Sequence, residues 1–140
     1  MAITNLRKEL STLDEVDHAN IVRIIQLFNS PKLIFIMMEH IDEGSLKEVI
    51  VKNGGFKPEI CRQIIKQILS ALEYLHETKK IAHRDLKPEN VLVDKFIVGH
   101  SIQIKLVNFG LTSEITKQEG ESFVTKETTS HYLAPELLHD

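Results

Sequence analysis

Residues 83 to 90 read HRDLKPEN, which sets an acid (Asp85), a cation (Lys87) and a side-chain amide (Asn90) within one short stretch. Such groups suit proton transfer and charge neutralisation. Taken singly, each reads as part of a surface loop. A second stretch, KLVNFGL at 105–111, raises its own question. It is either a strand ending in a turn or a metal site in which a carboxylate has become an amide at Asn108. The elements around both stretches decide what they are.

Leu6, Leu10 and Leu13 recur at helical spacing and predict an amphipathic first helix. IVRIIQLF and KLIFIMM are β-rich runs separated by Asn29-Ser30-Pro31, and they predict a hairpin with little exposed surface. Asp42-Glu43-Gly44 breaks that pattern, and Ser45 can cap a short helix to about Val51, closed by Asn53-Gly54-Gly55. The clearest helix starts at Pro58. Its stripe is Cys61, Ile64, Ile65, Ile68, Leu72 and Leu75, and it fades near Thr78-Lys79-Lys80. Asn90 to Val93 and Ile102 to Val107 read as brief strands with a loop from Phe96 to Ser101. Residues 111 to 130 are polar and lack periodicity, as a surface loop does.

The chain has 140 residues with a formal net charge of −3, 42% apolar and 26% charged. That is the balance of a globular domain, with no basic field for nucleic acid or an anionic membrane. The longest apolar run, Leu33 to Met38, is too short to span a bilayer. The first ten residues have no secretory apolar core. The single cysteine, Cys61, excludes an internal disulfide, fits a reducing compartment, and is expected to be a buried thiol within its stripe. A cytoplasmic or nuclear location is expected.

HRDLKPEN after a long amphipathic helix and before a short strand resembles the catalytic loop of protein kinases, H-R-D-L-x-x-x-N. Downstream, Asn108-Phe109-Gly110 resembles the metal motif D-F-G, and Ala134-Pro135-Glu136 is the A-P-E motif. The resemblance covers nearly the whole chain. It implies an α+β, two-lobe kinase-like fold that is incomplete, lacking strands 1–3 of the small lobe and the C-terminal helices of the large lobe. Residues 1–38 would be a small-lobe remnant with the family's helix αC and strands 4 and 5. Residues 39–43 would be the hinge, and 44–140 the first part of the large lobe.

The roles that follow are those the resemblance implies. Asp85 would accept or orient the proton of a substrate hydroxyl, and Lys87 would place positive charge near the transferring phosphoryl. Asn90 and Asn108 would face Mg2+. The backbones of Glu39 and Ile41 would meet the adenine of ATP, with Met38 as gatekeeper and Leu92 in the same nucleotide site. Glu9 would be the ion-pairing glutamate of helix αC. Arg84 would pair with a phosphate on the activation segment, for which Thr125 is the candidate. Leu13, Ile24, His83 and Phe109 resemble the apolar column joining the lobes. Lys87, with Thr129 ahead of Tyr132, resembles the serine/threonine branch, and the general look is that of calcium/calmodulin-dependent kinases.

The sequence departs from the family in three ways that bear on chemistry. It shows no Gly-rich phosphate loop and no strand-3 lysine, and it has an amide at Asn108 where the family has a metal-binding carboxylate. Removing one charge beside a cation forfeits on the order of a few kcal/mol. A hairpin without its neighbouring strands is expected to leave an open edge and an exposed apolar patch. Two functions are therefore carried forward. One is a serine/threonine kinase-like transferase using Mg-ATP on protein substrates, inactive or very weak in this chain. The other is a pseudokinase acting as a protein-binding module.

Overall fold

The structure, a computed structural model, describes residues 15–30, 34–83, 85–108, 132 and 135. The predicted first helix with its Glu9, and the segment carrying Thr125, lie outside the described residues.

Two antiparallel hairpins and two helices make up the described fold. β1 (Ile24–Asn29) pairs with β2 (Ile34–Met38) in a register running from Ile24 opposite Met38 to Asn29 opposite Ile34. Helix α1 (Leu46–Asn53) and helix α2 (Pro58–Glu73) follow. β3 (Val91–Ile97) and β4 (Ser101–Leu106) form the second hairpin.

Local chemistry sets most of these limits. Ser45 caps α1 by accepting from the Glu48 N–H, while the Glu48 carboxylate accepts from the Ser45 N–H at 2.7 Å. This reciprocal box satisfies two backbone donors that a helix start leaves open. Gly54, in the left-handed conformation at φ +69°, ends the helix. Pro58 opens α2, where its missing N–H costs nothing. After Glu73 the helix widens into a π-helical turn, Tyr74–Lys79, closed by Lys80 at φ 57°.

β3 is longer than its sequence predicts. Residues 96 and 97 continue the ladder opposite Ile102 and Ser101, so the connection shrinks to Val98-Gly99-His100. Phe96 is held in the strand by packing edge-on against Phe56, with ring centroids 5.4 Å apart. Gly99 supplies the positive φ, +75°, that this tight turn needs.

The core lies between α2 and the β3–β4 hairpin. Ile21, Leu75, Val91, Val93, Ile104 and Leu106 are fully buried there. Each such side chain contributes roughly 1.5–3 kcal/mol. The buried line of α2 is Ile60, Ile64, Ile68 and Ala71, continued by Leu75 in the π turn. Cys61 and Ile65 lie one residue around the helix from that line and are exposed, which corrects the buried-thiol expectation. The first hairpin carries the exposed apolar patch expected of a hairpin without neighbouring strands, not the small exposed surface its two runs suggested. Ile25, Phe28, Phe35, Met37 and Met38 are exposed, because among the described residues the β1–β2 sheet has only two strands.

Two side chains of α2 complete the outer edge of β4. The Gln67 amide donates to the Ile102 carbonyl at 2.9 Å and accepts from the Ile104 N–H at 3.0 Å. One turn earlier, Gln63 donates to the His100 carbonyl and accepts from the Ile102 N–H, both at 3.2 Å. Helical positions four apart rise about 6 Å, close to the two-residue repeat of a strand, so the pair acts like a missing strand. Asn20 donates to the Ile104 carbonyl, and the backbone of 20–22 brackets Leu106 with two hydrogen bonds. The edge that delivers Asn108 is thereby paired along its length.

Candidate active site

The 83–90 loop sits between the π turn and β3, and Asn90 is its centre. Pro88–Asn90 forms a single 3-10 turn, with the Asn90 N–H donating to the Lys87 carbonyl at 2.9 Å. Asn90 is 4% exposed. Its Nδ2 donates to both the Asp85 carbonyl and Asp85 Oδ2, each at 2.7 Å. Its backbone carbonyl accepts from the Val107 N–H at 3.0 Å, which fastens the loop to the end of β4. Asp85 Oδ2 also faces Lys87 Nζ at 3.1 Å. Among the described residues nothing donates to Asp85 Oδ1, so one carboxylate oxygen is left without a hydrogen-bond donor.

Asn108 follows β4 at φ 62°, the left-handed region that asparagine tolerates better than most residues. Its Nδ2 donates to Asn90 Oδ1 at 3.0 Å. The orientation follows from the network. Both Asp85 atoms facing Asn90 are acceptors, so the group between them is the amide nitrogen. The other end of Asn90 is then its oxygen, and Asn108 must present a donor to it.

These contacts involve the two residues, Asn90 and Asn108, expected to face Mg2+. A hard cation takes oxygen ligands. Here the Asn90 oxygen is engaged by an N–H, and the sole carboxylate of the group, Asp85, is paired with Lys87 and Asn90. Among the described residues no cluster of three or more carboxylate, histidine or cysteine side chains could hold a metal. Asp85 is therefore the only charged oxygen donor that these four side chains offer a divalent cation.

His83 is 2% exposed beneath the loop. Its Nδ1 accepts from the Asp85 N–H at 3.4 Å, which puts the ring proton on Nε2. Burial pushes its pKa down, against the Val107 backbone and Asp85, which raise it. It is a structural neutral histidine.

The expected nucleotide edge is built by a different set of contacts. The Glu39 N–H donates to the Arg23 carbonyl at 3.0 Å, and the Glu39 carboxylate accepts from the Arg23 N–H at 2.8 Å and Lys105 Nζ at 2.7 Å. Ile41 is half-buried, and among the described residues nothing accepts from its N–H or donates to the Glu39 carbonyl. Those are the two backbone groups assigned to adenine. Gly44 accepts from the Val93 N–H at 2.9 Å and Ser45 bridges Leu92, so the segment after the hinge is stitched to the strand carrying Leu92.

Asp85, Lys87, Asn90 and Asn108 are thus brought together, while Glu39 is tied to Arg23 and Lys105, and Leu92 is bridged to Ser45. Glu9, Arg84 and Thr125 lie outside the described residues, as does Phe109. Sequence reasoning missed Lys105, Gln63 and Gln67. The available signal was the two glutamines four apart, flanking the buried line of a helix.

The protein kinase domain family model matches residues 1–140. Serine/threonine-protein kinase 33 of Bos taurus is 37% identical over 145 residues, covering 99% of this chain and 29% of the relative. CBL-interacting protein kinase 31 of Oryza sativa subsp. japonica is 36% identical over 140 residues, covering 99% of this chain and 30% of the relative. The chain therefore spans less than a third of the length of these relatives. Among solved structures, the crystal structure of Rad53 1-466 in complex with AMP-PNP matches with a TM-score of 0.70 and 31% identity. That match covers 77% of this chain and 28% of the other.

Proposed function

Because the chain belongs to the protein kinase domain family, on its serine/threonine side, we propose that it is a kinase-like domain that takes ATP and transfers phosphate to protein hydroxyls very weakly or not at all. The observation that carries the acceptor half of this reading is the Asp85 carboxylate, fixed through Oδ2 by Lys87 and Asn90 and open at Oδ1. That geometry suits a group that orients a substrate hydroxyl. The free Glu39 carbonyl and Ile41 N–H suit an adenine edge, with Leu92 alongside, and ATP would supply the phosphoryl group.

The weakness rests on Asn108, whose amide brings no negative charge to the site. Within this reading 1–38 is the small-lobe part, 39–43 the hinge and 44–140 the large-lobe part. Glu9, Arg84 and Thr125 keep their regulatory assignments, and the domain works in the cytoplasm or nucleus on protein partners. The second reading, a pseudokinase that docks proteins, is favoured by the exposed apolar side chains of β1–β2.

The test is phosphate transfer from labelled ATP to a generic Ser/Thr peptide by the full chain, its Asn108→Asp variant and its Asp85→Asn variant. The expected result is transfer near background, raised by Asn108→Asp and removed by Asp85→Asn. Transfer at the 1–100 s⁻¹ typical of kinases, roughly, would overturn the weak reading. Transfer that survives Asp85→Asn would overturn the role of Asp85.

A further inference from the structure

The amide of Asn108 does more than leave a charge out. It points a hydrogen at Asn90 Oδ1, the oxygen that a cation would otherwise polarise. Asn90 in turn spends both of its amide hydrogens on Asp85. The chain of contacts Lys87–Asp85–Asn90–Asn108 is closed without an ion, at 3.1, 2.7 and 3.0 Å.

Charge counting gives the consequence. Lys87 offsets Asp85, and the two amides are neutral, so the four side chains sum to zero. A carboxylate at position 108 would make that sum −1. Such a carboxylate would repel both Asp85 and a polyphosphate, and a divalent cation would be needed to bridge them. With an amide there, the repulsion is absent and the attraction for a divalent cation is absent too. At a few ångström each such unit-charge interaction is worth on the order of a few kcal/mol at an intermediate dielectric.

We propose that the Asn108 amide stands in for a divalent cation, holding the Asp85–Asn90 loop in order by hydrogen bonds alone, so that the site takes a nucleoside triphosphate free of divalent metal. The nucleotide half of this inference rests on the kinase-like reading above. The loop-ordering half does not.

The experiment measures thermal melting and ATP affinity of the full chain and its Asn108→Asp variant. Conditions are millimolar MgCl2 alone, ATP with a chelator, and ATP with MgCl2. A ligand that binds only the folded state raises Tm in proportion to RT ln(1 + [L]/Kd). Magnesium alone should leave the Tm of the native sequence unmoved and raise that of Asn108→Asp. Chelation should change ATP affinity of the native sequence by less than about two-fold, and weaken that of Asn108→Asp roughly ten-fold or more. Stabilisation of the native sequence by magnesium alone, or ATP binding that requires magnesium, overturns the proposal. Indifference of both proteins to magnesium overturns it as well, because position 108 would then be no cation site with either residue. Absence of ATP binding under every condition sinks the kinase-like nucleotide reading instead, and the magnesium arm still decides the loop-ordering half. Should Asn108→Asp fail to fold, NMR of the native sequence is sufficient. Trace Mn2+ should leave the side-chain amide resonances of Asn90 and Asn108 sharp, and selective broadening of either overturns the proposal.

Discussion

Lys105 Nζ lies 2.7 Å from Glu39 Oε1, joining the strand that ends near Asn108 to the segment that leaves β2. The two residues are separated by 66 positions in sequence. Both are largely buried, and the same carboxylate oxygen also accepts from the Arg23 N–H. One ion pair thus relates the edge assigned to adenine to the loop assigned to phosphate transfer.

Replacing Lys105 with methionine leaves that carboxylate facing apolar stem atoms. A loss of about 1–3 kcal/mol is expected near neutral pH, the usual size for a hydrogen bond to a charged group. Burial by itself raises the Glu39 pKa, but the hydrogen bonds from Lys105 and Arg23 and the charges of both outweigh it, leaving the group below its ordinary 4.5. The contribution is therefore complete above pH 4.5 and is lost as pH falls through the lower folded value. Urea denaturation of both proteins across this range should show the gap closing in acid. A gap that stays constant there would mean the pair is not its source.

Gln67→Leu removes two partners from the outer edge of β4 at once, the acceptor for Ile104 and the donor for Ile102. Each stranded backbone group costs about 1–3 kcal/mol. Gln67→Glu keeps the acceptor and loses the donor, so its stability should fall between the two. Amide hydrogen exchange gives the sharper readout. Ile104 should lose protection in Gln67→Leu and keep most of it in Gln67→Glu. Equal loss in both variants would show that packing, not the amide, seals the edge.

The 83–90 segment was legible as a unit because HRDLKPEN fixes residue types at consecutive positions, and the structure places Asp85 in contact with both Lys87 and Asn90. The direction of the Asn108 amide was not legible. Which end of an amide points where depends on its partners, and the partner of Asn108 is set by how Asp85 has already oriented Asn90. The α2 stripe misled for a related reason. Apolar type placed Cys61 and Ile65 with Ile64 and Ile68, but the hairpin covers only the narrower line from Ile60 to Ala71. Gln63 and Gln67 drew no reading, since their four-residue spacing gains meaning only once the strand edge they complete is in place. Phe96 was assigned to a loop because its ring partner, Phe56, lies 40 residues away.

His83 provides a second pH-dependent element, with the opposite charge type and the same direction. Its pKa is lowered from 6.5 chiefly by burial, so the unfolded chain takes up a proton that the folded chain resists. Stability is complete above pH 6.5 and falls as pH drops toward the folded value. His18, stacked on Tyr74, is shifted downward as well and adds to the slope. In a His83→Phe variant the loss of stability on acidification through this window should be smaller than in the native sequence, as read by chemical denaturation. An unchanged slope would assign the effect to His18 alone.

Gly44 tests the link between the segment that follows β2 and the strand that carries Leu92. Its φ is +81°, and a Cβ placed there would stand 2.7 Å from Glu48 Oε2, the same oxygen that accepts from the Ser45 N–H and hydroxyl. Gly44→Ala strains the left-handed backbone, at about 1–2 kcal/mol, and must also displace the capping carboxylate, at about 1 kcal/mol. Because the Gly44 carbonyl accepts from the Val93 N–H, movement here also loosens the stitch to the strand that carries Leu92. The two causes separate in a Glu48→Ala background. If the carboxylate contact dominates, Gly44→Ala should cost less there than in the native sequence. If backbone strain dominates, the two costs should agree within about 0.5 kcal/mol. ATP affinity measured on the same four proteins should fall with Gly44→Ala in both backgrounds, and unchanged affinity would detach this stitch from the nucleotide edge.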